Sequence, residues 1–144
     1  MTTKARTSPT DPTPLRGVIL FGHGARDARW AEPFERLASR VAALNALAQT
    51  AVTTEASGPI TLAYLEMMTP DLAAAVAAQV AAGCTAITVV PIFFGTGAHL
   101  RRDFPALMDA CRATHPGVQI LSVSPVGEDE GVIDAIGNYV LKVW

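Results

Sequence analysis

TAITVVPIFFGTGAH, residues 85–99, joins a long apolar run to a glycine-containing loop that ends in a histidine. The branched and aromatic run over 85–94 predicts a strand buried on both faces, and as the most apolar run it belongs at the centre of a sheet. An amphipathic helix is predicted to follow over about 100–114. A strand, a loop and a helix in this order form the repeating unit of a parallel α/β sheet.

The same unit is found three more times along the chain. The other strands are predicted over 17–21, 60–66 and 118–124, and the other helices over 28–47, from Pro70 to Gly83, and over 128–143, with a loop over 48–59. Thr69 is the predicted cap of the second of these helices. The helix positions expected to face inward are Trp30, Phe34, Leu37, Val41 and Leu44 in the first helix and Val132, Ile136 and Val140 in the last. We therefore predict a three-layer, doubly wound α/β fold, with a four-stranded parallel sheet in the order 2-1-3-4 covered on both faces.

Composition limits the class of protein. The chain has 144 residues, half of them hydrophobic, and a net charge of −2, which favours neither nucleic acid nor an anionic membrane as partner. Residues 1–14 are rich in Thr and Pro and predict a disordered leader before one domain over 15–144. No run is long enough to span a membrane. Two isolated cysteines, Cys84 and Cys111, are typical of buried thiols in a reduced, cytoplasmic protein.

Three side chains that could bind a metal follow three predicted strands. His23 lies in GHGARD (22–27), Glu66 ends LAYLE (62–66), and His99 ends the loop after the third strand. The carboxyl ends of parallel strands meet at one edge of a sheet, and strands 1 and 3 flank its switch point. We therefore expect the three to be neighbours. Two imidazoles and one carboxylate suit Zn²⁺, Co²⁺, Fe²⁺ or Ni²⁺ without selecting among them.

Simpler interpretations of these residues remain open. His23 could be a turn histidine held by the backbone, and Glu66 a solvated residue before a helix. The loop with Gly95 and Gly97 could cradle a phosphate, although no Lys-Ser/Thr pair follows it. The remaining histidine, His115, is expected to cap the end of the third helix rather than to bind a ligand.

Four arginines follow the two histidines. Arg26 and Arg29 come after His23, whereas Arg101 and Arg102 come after His99. Cations at a helix start oppose the helix dipole, so their position favours binding of an anionic substrate, and guanidinium groups match carboxylates. The nearby Asp27 and Asp103 are expected to cap the helices or to orient these arginines, with capping preferred.

At these residues the chain resembles the small, single-domain sirohydrochlorin chelatases of the CbiX/SirB type. The matching motifs are GHGARD, YLE followed by TPDL, VVPIFFGTGAH with the downstream RRDFP, and HPGVQI, and the resemblance covers about 16–142. One mild departure is Thr96-Gly97-Ala98, where many relatives have more glycine before the histidine.

The resemblance implies a class II chelatase that inserts a divalent metal into sirohydrochlorin without ATP. It maps the metal-binding residues onto His23, His99 and Glu66, with the histidines catalytic, and gives the rim of Gly95, Gly97 and the four arginines a role in binding the substrate's eight carboxylates. The length resembles one half of the longer chelatases and implies a homodimer. Cobalt is the first choice of metal, iron the second and nickel a third, and no organic cofactor is expected.

Rival functions differ in testable ways. A phosphohistidine phosphatase would have an arginine directly before the histidine, where this chain has Gly22. A metal hydrolase shares the His₂Glu set but needs a separate acidic general base, which no other strand end supplies. A non-catalytic metal carrier or tetrapyrrole-binding module would use the same residues, and only turnover separates it from a chelatase.

Overall fold

The computed structural model describes residues 14–49 and 56–144. The strands are β1 (Leu15–Gly22), β2 (Ala56–Tyr64), β3 (Cys84–Pro91) and β4 (Gln119–Ser122), and the helices are α1 (Ala31–Ala48), α2 (Leu72–Ala81), α3 (Ala98–Thr114) and α4 (Glu130–Val143). Two 3₁₀ turns, Ala28–Trp30 and Val126–Glu128, precede α1 and α4. All strand pairs are parallel, and the order is β2-β1-β3-β4. The predicted fold class and strand order are confirmed.

One face of the sheet carries the hydrophobic core. Side chains that alternate along β1 and β3, such as Ile19, Phe21, Ile87 and Val89, are fully buried beneath α2 and α3. The Phe21 ring stacks on Phe104 of α3 at a centroid distance of 5.4 Å. This face is therefore covered from β2 to β4.

The opposite face carries α1. The ring of Phe34 lies so close to Gly22 that an added Cβ would be 2.9 Å from its Cε1. Phe34 also meets Tyr64 of β2 edge to face, with centroids 6.0 Å apart. Helix α1 thus covers β1 and β2, and the glycine at the end of β1 allows its close approach.

Helices cover both faces of the sheet, as predicted, but the α1 face is covered only in part within the described residues. Leu121, which pairs with Thr88 on the α1 side of β4, is 49% exposed, and Val123 just after the strand is 46% exposed. The closing helix does not cover them: no residue of α4 is buried, and the predicted inward positions Ile136 and Val140 are exposed. Trp30, just before α1, and Leu44 within it were also predicted to face inward, and both are exposed.

Two local predictions also need correction. Strand β2 covers Ala56–Tyr64 rather than 60–66, because an edge strand tolerates Pro59 and a register shift opposite Arg16 and Val18 absorbs the irregularity. Asp71, not Thr69, caps α2, since its carboxylate accepts the Ala74 N–H at 2.8 Å, and the Thr69–Pro70 bond is cis.

Other predictions concern residues at the margins of the described chain. The predicted leader falls almost wholly outside the described residues, and the division into leader and domain stays a prediction. None of the helices in the described ranges is both long and apolar enough to cross a membrane. Cys84 and Cys111 are free and buried, as predicted.

Candidate metal and tetrapyrrole site

The exits of β1 and β2 run side by side beyond the sheet. The ladder between the strands continues through Leu65 N–H to Gly22 O (2.9 Å) and Glu66 N–H to His23 O (3.1 Å). Gly24 has a φ of 92°, and any Cβ there would collide with the Glu66 carbonyl. A glycine is required at this point, because the two backbones are in direct contact. The two loops therefore hold His23 and Glu66 at one fixed separation.

His23 and Glu66 form a solvent-accessible pair. His23 Nε2 lies 3.1 Å from Glu66 Oε1, and the side chains are 55% and 50% exposed. The turn after Glu66 is tight: Met68 N–H donates to Glu66 O at 2.8 Å across Met67, whose φ is 63°. A left-handed non-glycine residue is strained, and such strain gathers at functional sites. Two of the three predicted ligands are thus together, with lone pairs open to a bound ion.

The exit of β3 reaches the same edge. Ile92 N–H donates to Phe21 O at 2.8 Å, and the Phe93 ring lies edge to face with His23 at 6.4 Å between centroids. The chain then passes through Gly95 to Gly97, the N-cap of α3, with His99 in the first turn of that helix. The His99 side chain lies outside the described residues, so its distance from the pair stays a prediction. Among the described side chains, no three metal-binding residues cluster.

The glycines of this loop are not demanded by the chain's own packing. A Cβ at Gly95 or Gly97 would meet nothing within 4 Å, and neither residue has a positive φ. Both are exposed. The loop beside Phe93 consequently leaves open space that a planar ligand could enter.

The arginines differ in their surroundings. Arg29 is held by Asp27, with its Nη2 2.8 Å from Oδ2, and the same carboxylate accepts the Arg29 backbone N–H at 2.9 Å. This contact holds the pKa of Asp27 below its usual value. Asp27 therefore caps the Ala28–Trp30 turn and also orients Arg29, which are the two roles that were expected of it. Arg26 is exposed nearby.

The second arginine pair begins α3. Arg101 Nε donates to Thr96 O at 3.3 Å, folding back over the glycine loop, whereas Arg102 Nε reaches Asp103 Oδ1 at 3.4 Å. The expectation that Asp103 caps this helix is wrong, because Gly97 is its N-cap and Asp103 lies well inside it. His115 occupies the C-cap position of α3, as predicted.

A cavity of about 360 Å³ opens beside the loop that follows β3. Its walls are apolar and its polar groups come from Arg101, Thr96 and two serines; the lining residues include Phe93, Phe104, Arg101, Thr96, Ser122 and Ser124. The serines were not predicted as site residues. The sequence ILSVSP could have indicated these serines, because it ends a predicted strand at the same sheet edge as His23 and His99.

Fold and site together define a small doubly wound protein with an open polar edge at the strand carboxyl ends, where an imidazole–carboxylate pair adjoins a cavity. The chain belongs to the CbiX family, whose sequence profile matches residues 17–142.

The chain is similar to a named protein and to solved structures from several organisms. A protein of Saccharolobus solfataricus named sirohydrochlorin cobaltochelatase is 29% identical over 136 residues, covering 90% of this chain and 97% of its own. A solved structure from Marinobacter aquaeolei VT8, described as a CbiX protein of cobalamin (vitamin B12) biosynthesis, is 33% identical with a TM-score of 0.70, covering 88% and 95%. The sirohydrochlorin chelatase SirB from Bacillus subtilis subspecies spizizenii, solved with cobalt, is 24% identical with a TM-score of 0.69; the match covers 89% of this chain and 50% of that one.

Proposed function

We propose that this protein inserts a divalent metal ion into sirohydrochlorin without ATP, with Co²⁺ as first choice and Fe²⁺ as second. The observation that carries the proposal is the His23–Glu66 pair, 3.1 Å between Nε2 and Oε1, at the open edge of a CbiX-family fold. The names of its relatives, cobaltochelatase and ferrochelatase, support the same reaction. The metal is a substrate, and the proposal includes no organic cofactor.

Metal insertion has two chemical requirements that these residues can meet. The ion must be held loosely enough to leave for the macrocycle, and two pyrrole protons must be accepted as the metal–nitrogen bonds form. We assign metal binding to His23, His99 and Glu66, and proton acceptance to one of the two histidines, which would pass the first pyrrole proton to solvent before taking the second. An imidazole can do either near neutral pH, and the half-exposed His23 and Glu66 side chains keep coordination positions open for the tetrapyrrole nitrogens.

The carboxylate of Glu66 has a specific place in this scheme. In contact with His23 Nε2, it orients the imidazole ring that would accept a proton. When a metal replaces that proton, the same oxygen is positioned to share the ion. Glu66 would therefore steer either a metal or a proton between the solvent and the macrocycle.

The rim supplies the binding groups for the substrate. Arg101 lines the apolar cavity beside Phe93, and its guanidinium matches a peripheral carboxylate of sirohydrochlorin. Arg26, Arg29 and Arg102 are assigned to the same role, because all three are exposed near the strand ends. Gly95 and Gly97 are assigned to close approach of the macrocycle, since the space beside each is open.

The setting of the enzyme is part of the proposal. We place it in the cytoplasm, which the two reduced, buried cysteines support. We also propose a homodimer, because this chain covers only half of the longer SirB chain that has the same fold. Two copies would then take the place of the two halves.

Anaerobic insertion into sirohydrochlorin, followed by its absorption change, tests the proposal with Co²⁺, Fe²⁺ and Ni²⁺ in parallel. We expect rates above the uncatalysed reaction, with Co²⁺ fastest. The His99→Ala and His23→Ala variants are each expected to lose about 100-fold or more in rate, and Glu66→Gln about 10–100-fold. Unchanged turnover in both histidine variants would exclude the assigned site.

The third histidine provides a matched control. His115 sits at the opposite end of α3 from His99, so His115→Ala is expected to insert metal at the unaltered rate. The rival functions give different results in the same assay. A carrier or binding module would bind the macrocycle while all three metals react at background rates, and a hydrolase would do neither.

A further inference from the structure

The cavity beside the loop that follows β3 combines apolar walls with very few polar groups. Aromatic, proline and leucine side chains, including Phe93 and Phe104, make up most of its lining. Arg101 carries the one formal charge among the described residues that line it, and Ser122 and Ser124 add neutral hydroxyl donors. This combination suits a ligand with a short hydrocarbon stem and a single negative charge. A phosphate, which has no stem and a higher charge, matches it less well.

Ser122 stands at a position of β4 that faces the core. It pairs in register with Val89 of β3, so both side chains point to the α2–α3 face, where Val89 is fully buried. Ile120, two residues earlier on the same face, is 3% exposed. Ser122 is instead exposed, because the cavity opens at this point. An accessible hydroxyl at a core-facing position indicates a binding group rather than a solvated strand edge.

Arg101 is oriented toward use by a ligand. Its Nε donates to Thr96 O at 3.3 Å, and its two Nη groups have no partner among the described residues. Arg29 and Arg102 each contact a carboxylate of their own chain, whereas Arg101 contacts only this carbonyl. The free end of a guanidinium presents its donors in one plane, which matches the two oxygens of a carboxylate.

The backbone around the cavity is already held in place. Val123 N–H donates to Val89 O at 3.2 Å, which fixes the chain between the two serines against β3. Gly127 N–H donates to Phe93 O at 3.0 Å, and a Cβ added to Gly127 would overlap the Phe94 carbonyl. A preformed cavity needs little ordering when a ligand enters it, so less of the binding free energy is lost.

The cavity has the size of a part of the macrocycle and lies next to the proposed metal site. Its volume of about 360 Å³ is near the lower end of small-molecule pockets, roughly 300–1,000 Å³, so a tetrapyrrole would insert a side chain rather than its ring. Phe93 lines the cavity and also lies edge to face with His23, at 6.4 Å between centroids. One aromatic ring therefore separates an inserted side chain from a proposed metal ligand.

We infer that this cavity binds one carboxylate arm of sirohydrochlorin, with the carboxylate held by Arg101, Ser122 and Ser124, and that the seated arm places the ring beside His23. The inference deepens the proposed function and rests on it. It makes the two serines specificity-determining residues. An arm that lacks a free carboxylate would leave the guanidinium and both hydroxyls without their partner, and a site of this kind rejects such an analogue.

Binding of metal-free sirohydrochlorin, followed by its fluorescence, tests the cavity. Arg101→Gln is expected to raise the dissociation constant about 10–100-fold, because it removes a charged hydrogen-bonding partner. The double variant Ser122→Ala/Ser124→Ala keeps that charge and is expected to raise the dissociation constant about 5–30-fold. Exposed residues of α1 supply the matched controls, since Arg40→Gln and Ser39→Ala should both bind with an unaltered dissociation constant.

Steady-state insertion adds a second measurement. Arg101→Gln and the double serine variant should raise KM for sirohydrochlorin and leave KM for Co²⁺ unaltered, because neither removes a proposed metal ligand. An unaltered dissociation constant in the double serine variant would overturn the inference. Equal weakening by Arg40→Gln would overturn it as well, since general attraction to a positive surface would then explain the binding.

These outcomes are separate from the proposed chemistry. Fluorescence is measured without metal, so binding that depends on the two serines but brings no insertion would remove the chelatase and leave the cavity assignment intact. Conversely, an unaltered chain that inserts metal, with a double serine variant that binds equally well, would remove the cavity assignment and leave the chemistry intact.

Discussion

The two faces of the sheet reach very different degrees of burial from similar sequence patterns. On the α2–α3 face, Ile19, Phe21 and Val89 are fully buried. On the α1 face, Leu121 is about half exposed, although it is equally apolar and belongs to a strand of the same parallel sheet. The comparison teaches that alternation in a strand indicates which side chains share a face, whereas the placement of the helices decides which of those side chains are covered.

The largest effect should come from the buried face. Phe21→Ala removes a ring with 0% exposure that contacts Phe93 and Phe104, and such deletions cost about 3–5 kcal/mol of the free energy of unfolding. Leu121→Ala is the paired variant on the other face. Its cost should be about 0.5 kcal/mol or less, because the Leu121 side chain is already 49% exposed in the described chain. Denaturant unfolding measures both; an equal loss at the two positions contradicts the comparison.

Where helix α1 covers the sheet, one added methyl group should lower the free energy of unfolding. Gly22→Ala forces a Cβ to within 2.9 Å of the Phe34 ring, and the resulting overpacking should cost about 1–3 kcal/mol. Gly95→Ala is the matched substitution in open space. It should leave the free energy of unfolding within about 0.5 kcal/mol while slowing insertion. Equal destabilisation by the two would mean that the Gly95 loop is packed.

The reactivity of the two core cysteines, Cys84 and Cys111, gives an independent measure of how well the hydrophobic core is protected from solvent. Burial raises the pKa of both Cys84 and Cys111. Because the thiolate is the reactive form, labelling at pH 8 should be at least about 10-fold slower in the native than in the unfolded chain. The unfolded thiols ionise first as the pH rises, so the free energy of unfolding should fall above about pH 8.5. Rapid native labelling would show that this face opens.

The smallest effect is expected at Met67, in the tight turn that follows Glu66. Met67 is held at a φ of 63°, a conformation that costs a non-glycine residue about 1–2 kcal/mol. Met67→Gly relieves this strain but loses more conformational entropy on folding, so a net stabilisation of up to about 1 kcal/mol should remain. Thermal unfolding checks it. Met68→Gly, one residue further on, is the control and should bring no gain.

Much of the fold was predictable because local signals agreed. The apolar runs around Ile19 and Val89, each followed by a polar turn and an amphipathic helix, indicate parallel units, and the rule for small doubly wound sheets predicts their order. The same rule brought His23 and Glu66 together from 43 residues apart. The two imidazole-bearing loops were recognisable by their glycines.

Other features depend on contacts that periodicity does not record. Asp71 caps α2 in place of the predicted Thr69, because this carboxylate, two residues further along the chain, directly precedes the first helical residue and accepts the Ala74 N–H. The apolar stripe with Ile136 and Val140 was predicted correctly as a stripe, but its burial was assigned to the chain's own sheet. Ser122 and Ser124 went unnoticed because hydroxyls at a strand end carry no spacing motif.

In the proposed site, the hydrogen bond from Gly127 to Phe93 also limits the entropic cost of binding substrate. It fixes the chain immediately before Gly95, and the N-cap at Gly97 fixes it immediately after. Only the short stretch 95–97 can therefore reorganise around a macrocycle without disturbing α3 or the turn before α4. Ordering that stretch costs at most about 1–2 kcal/mol per residue, so even complete immobilisation would consume about 3–6 kcal/mol of the binding free energy. A loop this short can close on a large, rigid tetrapyrrole and still release it.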